Sequence, residues 1–458
     1  MDGSLFLLLV LSINAPSTQE NAQVPTRVVH AGPSTEPQPG RFGAALWGAR
    51  IADHEWIAIG APNAGSEALP RVGEVLALAD RKVVWRARGT NVRDGLGASV
   101  VALDRQQTGA WDALAIGATQ GRGPFDAPPS GPGLVELRRL TDGELLCAAS
   151  GAILGDAFGS ALCPLGDLDG DGFNELAIGA PQVGGERTIP STLPGYVTVV
   201  STKDGSILWT ITGPAQNRRF GGTLARLGDL DHDGQEDLAV GAEGPSEAVW
   251  APGAILLVSA KTGMVLFEAV EQGPLRSVGA TLVSTDDLDG DGKADAFAIG
   301  VPAPLSKGST AVDVLLLSGA DGRMTSIASI ESGARFGSFA LAAGAWRDGS
   351  LRIAIQLAGS VNGDNEGRVE ILDPRAERPA RFELHQDPVD GEAVDWCAFQ
   401  AQACVAVVAN ADPKRDSTWL VGAPSDRCWG RVVVFDGVRW ADGQVLLEKE
   451  LAREFRPQ

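Results

Sequence analysis

Apolar positions along this chain fall in short runs, bounded by glycine, asparagine, aspartate and proline, and none is long enough for an ordinary helix. Tyr196-Val197-Thr198-Val199-Val200 is one such run and Ile207-Leu208-Trp209-Thr210 the next. Between them stands Lys203-Asp204-Gly205, and equivalent runs flank Lys261-Thr262-Gly263 and Ala320-Asp321-Gly322. Asp-Gly or Thr-Gly between two such runs is a hairpin signal. The hairpins belong to a larger period. An apolar residue followed by glycine opens a unit at Phe42-Gly43, Leu96-Gly97, Phe158-Gly159, Phe220-Gly221, Val278-Gly279 and Phe336-Gly337. Each is followed by an apolar run closing in Gly-Ala or a variant of it, such as Gly60-Ala61-Pro62 and Gly179-Ala180-Pro181. A seventh closing run, Trp419 to Pro424, follows a segment around Trp396 that lacks the opening pair. Seven units of four short strands predict an all-β fold, a seven-bladed β-propeller of four-stranded antiparallel blades. Two segments compete to complete the last blade, Thr26 to His30 and Gln444 to Leu451, and the pattern does not choose between them.

Three units carry one acidic loop between their first and second strands. The loops read Asp167-Leu168-Asp169-Gly170-Asp171-Gly172-Phe173-Asn174-Glu175, Asp229-Leu230-Asp231-His232-Asp233-Gly234-Gln235-Glu236-Asp237 and Asp287-Leu288-Asp289-Gly290-Asp291-Gly292-Lys293-Ala294-Asp295. Oxygens at positions 1, 3 and 5 can wrap one hard cation, and glycine at position 6 allows the sharp turn. The carbonyl at position 7 (Phe173, Gln235, Lys293) adds a ligand, and the acid at position 9 (Glu175, Asp237, Asp295) closes the shell. An oxygen-only set in a loose loop favours Ca²⁺, giving three calcium sites. The leucine at position 2 is expected to point inward, and His232 to be a solvated loop residue. An EF-hand is excluded, because a β run follows each loop at once. The second unit keeps only Asp104 and Asp112 of the pattern and the sixth only Asp348-Gly349, so no metal is expected there.

Acids outnumber bases by 58 to 38, a formal charge of -20 that excludes nucleic acid as a partner. Leu5 to Ile13 is an apolar run too short to span a bilayer but suited to a signal-peptide core, so residues 1–22 read as a leader and 23–458 as a single domain. No later run reaches membrane-spanning length. The expected location is secreted, periplasmic or at the cell surface of a bacterium. The five cysteines, Cys147, Cys163, Cys397, Cys404 and Cys428, lack metal-site spacing. Cys397 and Cys404 suit a disulfide across one hairpin, and the pairing is otherwise open.

The opening Phe-Gly, the DxDxDG loop and the closing Gly-Ala-Pro in one unit closely resemble the FG-GAP repeat family, that of integrin α-subunit heads and many bacterial surface proteins. The resemblance covers residues 26 to 452 and implies a seven-bladed propeller whose loops bind calcium through the twelve acids named above. It departs from integrins in placing the calcium loops in blades three to five. It implies a non-catalytic binding or adhesion module. Its partner, a protein or glycan, would use the longer loops on the face opposite the metal: 62–73, 118–133, 181–195, 242–253 and 423–430, with Phe125, Trp250 and Trp429. Two enzymatic readings stand as alternatives. One is a quinoprotein-type dehydrogenase, which the tryptophans at Trp85 and Trp209 resemble although Phe267 replaces one of them. The other is a calcium-dependent polysaccharide lyase. The four histidines (His30, His54, His232, His385) stand beside no nucleophile, so no catalytic residue is assigned.

Overall fold

The computed structural model describes residues 27–30, then 43–302 apart from 52–53, 67, 81, 121–128, 183–193, 215–218, 243–252, 271–274, 277 and 286. Beyond these it describes 310–332, 335–345, 351–361, 364–372, 374, 404–408, 418–423, 431–435, 438–441 and 444–447. Every regular element among them is a β-strand, and every sheet is antiparallel. No helix among the described residues is long and apolar enough to cross a membrane.

Five sheets have four strands. Those of the first four repeats are each built from consecutive strands in chain order. In the third repeat these are Ala161–Pro164, Glu175–Ala180, Tyr196–Ser201 and Ile207–Thr212; in the fourth, Phe220–Leu227, Asp237–Ala242, Ala254–Val258 and Val265–Val270. The second strands of the second to fourth repeats, Ala113–Ala118, Glu175–Ala180 and Asp237–Ala242, are buried along their whole length. That is why they read as unbroken apolar runs. The fourth strands are outermost and alternate, as Lys82–Arg88 does.

Contacts divide the chain into two compact units. One comprises Met1–Ala61, Leu76–Val84 and Ala334–Gln458, the other Pro62–Val75 and Trp85–Gly333. In the second unit, first strands of successive sheets lie side by side, and the apolar core fills the space between one sheet and the next. The two glycines of the repeat motif set this spacing. A Cβ at Gly179 would lie 1.9 Å from the Gly221 carbonyl oxygen, and one at Gly117 or Gly241 would lie 2.1 Å from that of Gly159 or Gly279. The closing glycine of one repeat thus meets the opening glycine of the next, backbone to backbone. The opening glycines also hold φ near +80 to +90°, 88° at Gly159 and 84° at Gly221, where a side chain is strained. Beside them Phe158 and Phe220 are fully enclosed, each contributing on the order of 2 to 3 kcal/mol through burial.

Outer strands are tied to the next repeat as well. Trp85 Nε1 donates to Leu140 O at 2.7 Å and its ring covers Gly143; Trp209 Nε1 donates to Ala260 O at 2.8 Å and covers Gly263. Cys147 and Phe267 hold the equivalent positions in the second and fourth repeats, where Cys147 Sγ lies 3.5 Å from Thr202 O. Cys147 and Cys163 are free thiols. Cys397 and Cys428 lie outside the described residues.

The fifth sheet departs from four regular strands. Its first strand is two pieces, Leu275–Arg276 and Leu282–Ser284, both paired with Ala296–Pro302. Gly279, with φ of 80°, lies between the pieces. The same point in the second and fourth repeats is a register shift, between Leu96 and Ser99 and between Phe220 and Thr223. The sixth repeat has three strands among the described residues, Arg335–Ala345, Leu351–Val361 and Asp364–Leu372.

In the first unit, the choice left open by the sequence is decided. Arg27–His30 adds to Cys404–Val408, Thr418–Ala423 and Arg431–Phe435 as the fourth strand, with Arg27 opposite Val434 and His30 opposite Arg431. Gln444–Leu447 instead forms a separate hairpin with Val438–Ala441. Residues 1–22, and the opposite-face aromatics Phe125, Trp250 and Trp429, lie outside the described residues.

Candidate metal-binding loops

All three acidic loops fold the same way, around the aspartate at position 1. Asp167 Oδ1 accepts the amides of Gly170 and Asp171 at 2.7 and 3.1 Å, and its Oδ2 accepts that of Gly172 at 3.0 Å. Asp229 accepts from Asp233 and Gly234, and Asp287 from Gly290 and Gly292. Residue 4 takes positive φ (Gly170 81°, His232 64°, Gly290 86°), as does glycine 6. The acid at position 9 starts the buried second strand and accepts the position-2 amide: Glu175 from Leu168, Asp237 from Leu230 and Asp295 from Leu288. Leu168 and Leu230 are buried, as the sequence suggests, and Leu288 is half-buried.

The side chains converge within each loop. Ligand oxygens of Asp167, Asp169, Asp171 and Glu175 all lie within 4.8 Å of one another, as do those of Asp229, Asp231 and Asp237, and of Asp287, Asp289 and Asp291. Asp233 and Asp295 fall outside those groups. Asp233 Oδ1 accepts the Gln235 amide, and Asp295 accepts from both Leu288 and Gly319.

Electrostatics favour a cation at these places. Glu175 is fully buried, its Oε2 takes the Leu168 amide, and its Oε1 has no partner. Burial, reinforced by Asp169, Asp167 and Asp171, pushes its carboxyl up to about 7. Burial likewise pushes Asp237 up to about 6 and raises Asp295. A buried acceptor without a donor, beside three more carboxylates, is the environment a hard divalent cation satisfies. The donor set, oxygen throughout, fits Ca²⁺. Asp233 Oδ2 is a second enclosed oxygen without a partner.

The residues at positions 7 and 8 have a further task that the sequence does not announce. Gln235 Nε2 donates to Asp167 O at 3.0 Å, and Lys293 Nζ donates to Asp229 O. Asn174 Nδ2 donates to Asp104 O at 2.6 Å. Each loop is therefore strapped to position 1 of the preceding one. His232 is exposed, with its Nδ1 3.2 Å from Lys293 Nζ, so it is less free than a solvated loop residue. The turns between third and fourth strands border the same loops, through Lys203 at Asp171, Lys261 at Asp233 and Ser318 at Asp291.

A second polar cluster was invisible in the sequence. Asp156, two residues before Phe158, is fully buried and accepts from the Ala152 and Ile153 amides, Gln182 Nε2 and Tyr196 Oη. Asp94 does the same one repeat earlier with Thr90, Asn91 and Gln120. Only the pairing of Asp94 with Gln120 and Asp156 with Gln182, each separated by 26 residues, could have signalled it.

Residues 158–200 match the model of the FG-GAP repeat. The chain is 36% identical to integrin alpha-4 of Xenopus laevis over 181 residues, which is 36% of this chain and 16% of that protein. It is 39% identical to integrin alpha-V of Gallus gallus over 119 residues, 25% of this chain and 11% of the other. To integrin alpha-5 of Xenopus laevis it is 46% identical over 90 residues, 19% and 8% respectively. The chain thus matches less than a fifth of the length of each of these relatives.

Proposed function

We propose that this chain, an FG-GAP repeat protein similar to integrin α subunits, is a secreted or surface-exposed, non-catalytic binding module that holds three calcium ions. Residues 23–458 would form one seven-bladed propeller behind a leader at 1–22. Similarity to integrin α subunits supports a binding role. The observation that carries the metal part is Glu175 Oε1, a fully enclosed carboxylate oxygen without a partner, facing three aspartates.

Calcium would neutralise the crowded carboxylates of each loop. Asp167, Asp169, Asp171 and Glu175 would hold the first ion with the Phe173 carbonyl. Asp229, Asp231, Asp233 and Asp237 with the Gln235 carbonyl would hold the second, and Asp287, Asp289, Asp291 and Asp295 with that of Lys293 the third. The chain's own part is to fix each loop before the ion arrives, through the position-1 aspartate and the position-9 acid. A partner, protein or glycan, would bind the longer loops on the other face, where variable segments sit on a rigid scaffold.

Calorimetric titration of the full chain with calcium, beside thermal melts in calcium and in chelator, tests this reading. Binding near three ions per chain with a raised melting temperature is expected. No heat and no shift would remove the metal from the proposal.

A further inference from the structure

The three loops share one ligand pattern but not one electrostatic setting. In the third repeat the turn after the third strand brings Lys203 Nζ to 3.3 Å from Asp171 Oδ2. In the fourth repeat the same turn brings Lys261 Nζ to 3.2 Å from Asp233 O. A second ammonium joins it there, because Lys293 reaches back from the next loop to Asp229 O. In the fifth repeat the place of Lys203 and Lys261 is taken by Ala320. A neutral hydroxyl, Ser318 Oγ, donates to Asp291 Oδ2 at 3.0 Å instead. Ala320 borders an open cavity of about 520 Å³, lined also by Asp289, Asp291 and the Arg323 guanidinium. Bound lysines thus number one at the first loop and two at the second, with a hydroxyl at the third.

The molecule contains its own control. Gln235 and Lys293 occupy the same position of consecutive loops and make the same strap to the carbonyl of the preceding position 1. One strap is neutral and the other charged. An ammonium held beside a divalent cation repels it. At contact range in well-solvated surroundings each such charge lowers affinity on the order of tenfold.

We infer that the loops are a graded series in which the Asp229 loop, held by two ammonium groups, fills last. Lys293 is the residue that makes the Asp229 site the weakest. This rests on the calcium reading above. The consequence is a protein whose metal content changes stepwise over about two decades of calcium concentration instead of at one threshold.

Titration of the full chain with calcium chloride, comparing wild type with Lys293→Gln and Ala320→Lys, decides the matter. Lys293→Gln keeps the strap in the form Gln235 already uses and removes the charge. It should strengthen the weakest site about tenfold while the count of ions stays at three. Ala320→Lys, on an exposed turn, should weaken the Asp287 site about tenfold. Three equal sites in wild type, or unchanged affinities in both variants, would overturn the graded order and leave Lys293 as a mechanical strap. An absence of any calcium heat in wild type would instead strike the calcium reading itself.

Discussion

The loop of the second repeat, residues 104–112, has the backbone of the three acidic loops with only two of their four acids. Asp104 stands at position 1 and accepts the Thr108 amide at 2.9 Å and the Gly109 amide at 2.6 Å, as Asp167 does for Asp171 and Gly172. Asp112 at position 9 accepts the Arg105 amide at 2.7 Å, as Glu175 does for Leu168. Gln107 and Gly109 take positive φ, 55° and 79°, where Gly170 and Gly172 do. What differs is positions 3 and 5, Gln106 and Thr108 in place of two aspartates. Position 2 differs too. Arg105 leaves the core and donates to Thr202 O and Lys203 O of the next repeat at 2.7 and 3.0 Å, stacking over Phe173. Positions 1, 6 and 9 therefore set the shape of this loop, while 3 and 5 set whether it attracts metal. A guanidinium tying two repeats together takes over part of the mechanical task.

The widest separation between the two kinds of loop should appear when position 1 is removed. Asp167→Ala loses three hydrogen bonds to loop amides and, in millimolar calcium, one bound ion, together roughly 4 to 5 kcal/mol. The partner change Asp104→Ala should cost roughly 1 to 3 kcal/mol, the same in calcium and in chelator. Chemical denaturation under both conditions checks this, and a calcium-dependent cost for Asp104→Ala would break the comparison. A somewhat smaller effect concerns pH. The carboxyl of Glu175 sits at about 7 against an ordinary 4.5, so without metal the folded protein holds that proton more tightly than the unfolded chain. Its contribution to stability is therefore lost as pH rises from about 4.5 to about 7. Asp237, raised from 3.8 to about 6, adds in the same direction. In chelator, stability should fall across that window, by up to roughly 3 kcal/mol from Glu175 alone, and Glu175→Gln should remove that share of the slope. A slope that survives Glu175→Gln and Asp237→Asn would locate the effect elsewhere. The smallest expected effect is a gain. Gln106→Asp with Thr108→Asp should turn the second repeat into a fourth site, adding one ion and about 1 to 2 kcal/mol in millimolar calcium. An unchanged ion count would show that positions 3 and 5 are insufficient.

The ligand aspartates could be read from the chain because they lie within nine residues of one another, and local spacing survives without a fold. The glycines and apolar partners of each repeat were legible for the same reason, and with them the strands of the first five repeats. Arg105, Asn174, Gln235 and Lys293 were not, since their partners lie 60 to 100 residues away and each looks like an ordinary polar residue. Asp156 and Tyr196 stayed hidden likewise. Nothing near Asp156 in the chain marks it as the acceptor of four donors. The competition between Thr26–His30 and Gln444–Leu451 was beyond the sequence because both segments are equally β-like. Pairing with Arg431–Phe435 distinguishes them, and pairing is a property of the folded sheet.

That pairing has a consequence for how the chain matures. Strand Arg27–His30 leaves the ribosome first, yet its neighbour at Arg431–Val434 is made some four hundred residues later. Until that neighbour is made the early strand waits with its edge unsatisfied, open to wrong partners. The sheet it completes therefore depends on a pairing between segments some four hundred residues apart, a closure that is slow compared with the local hairpins of the other repeats.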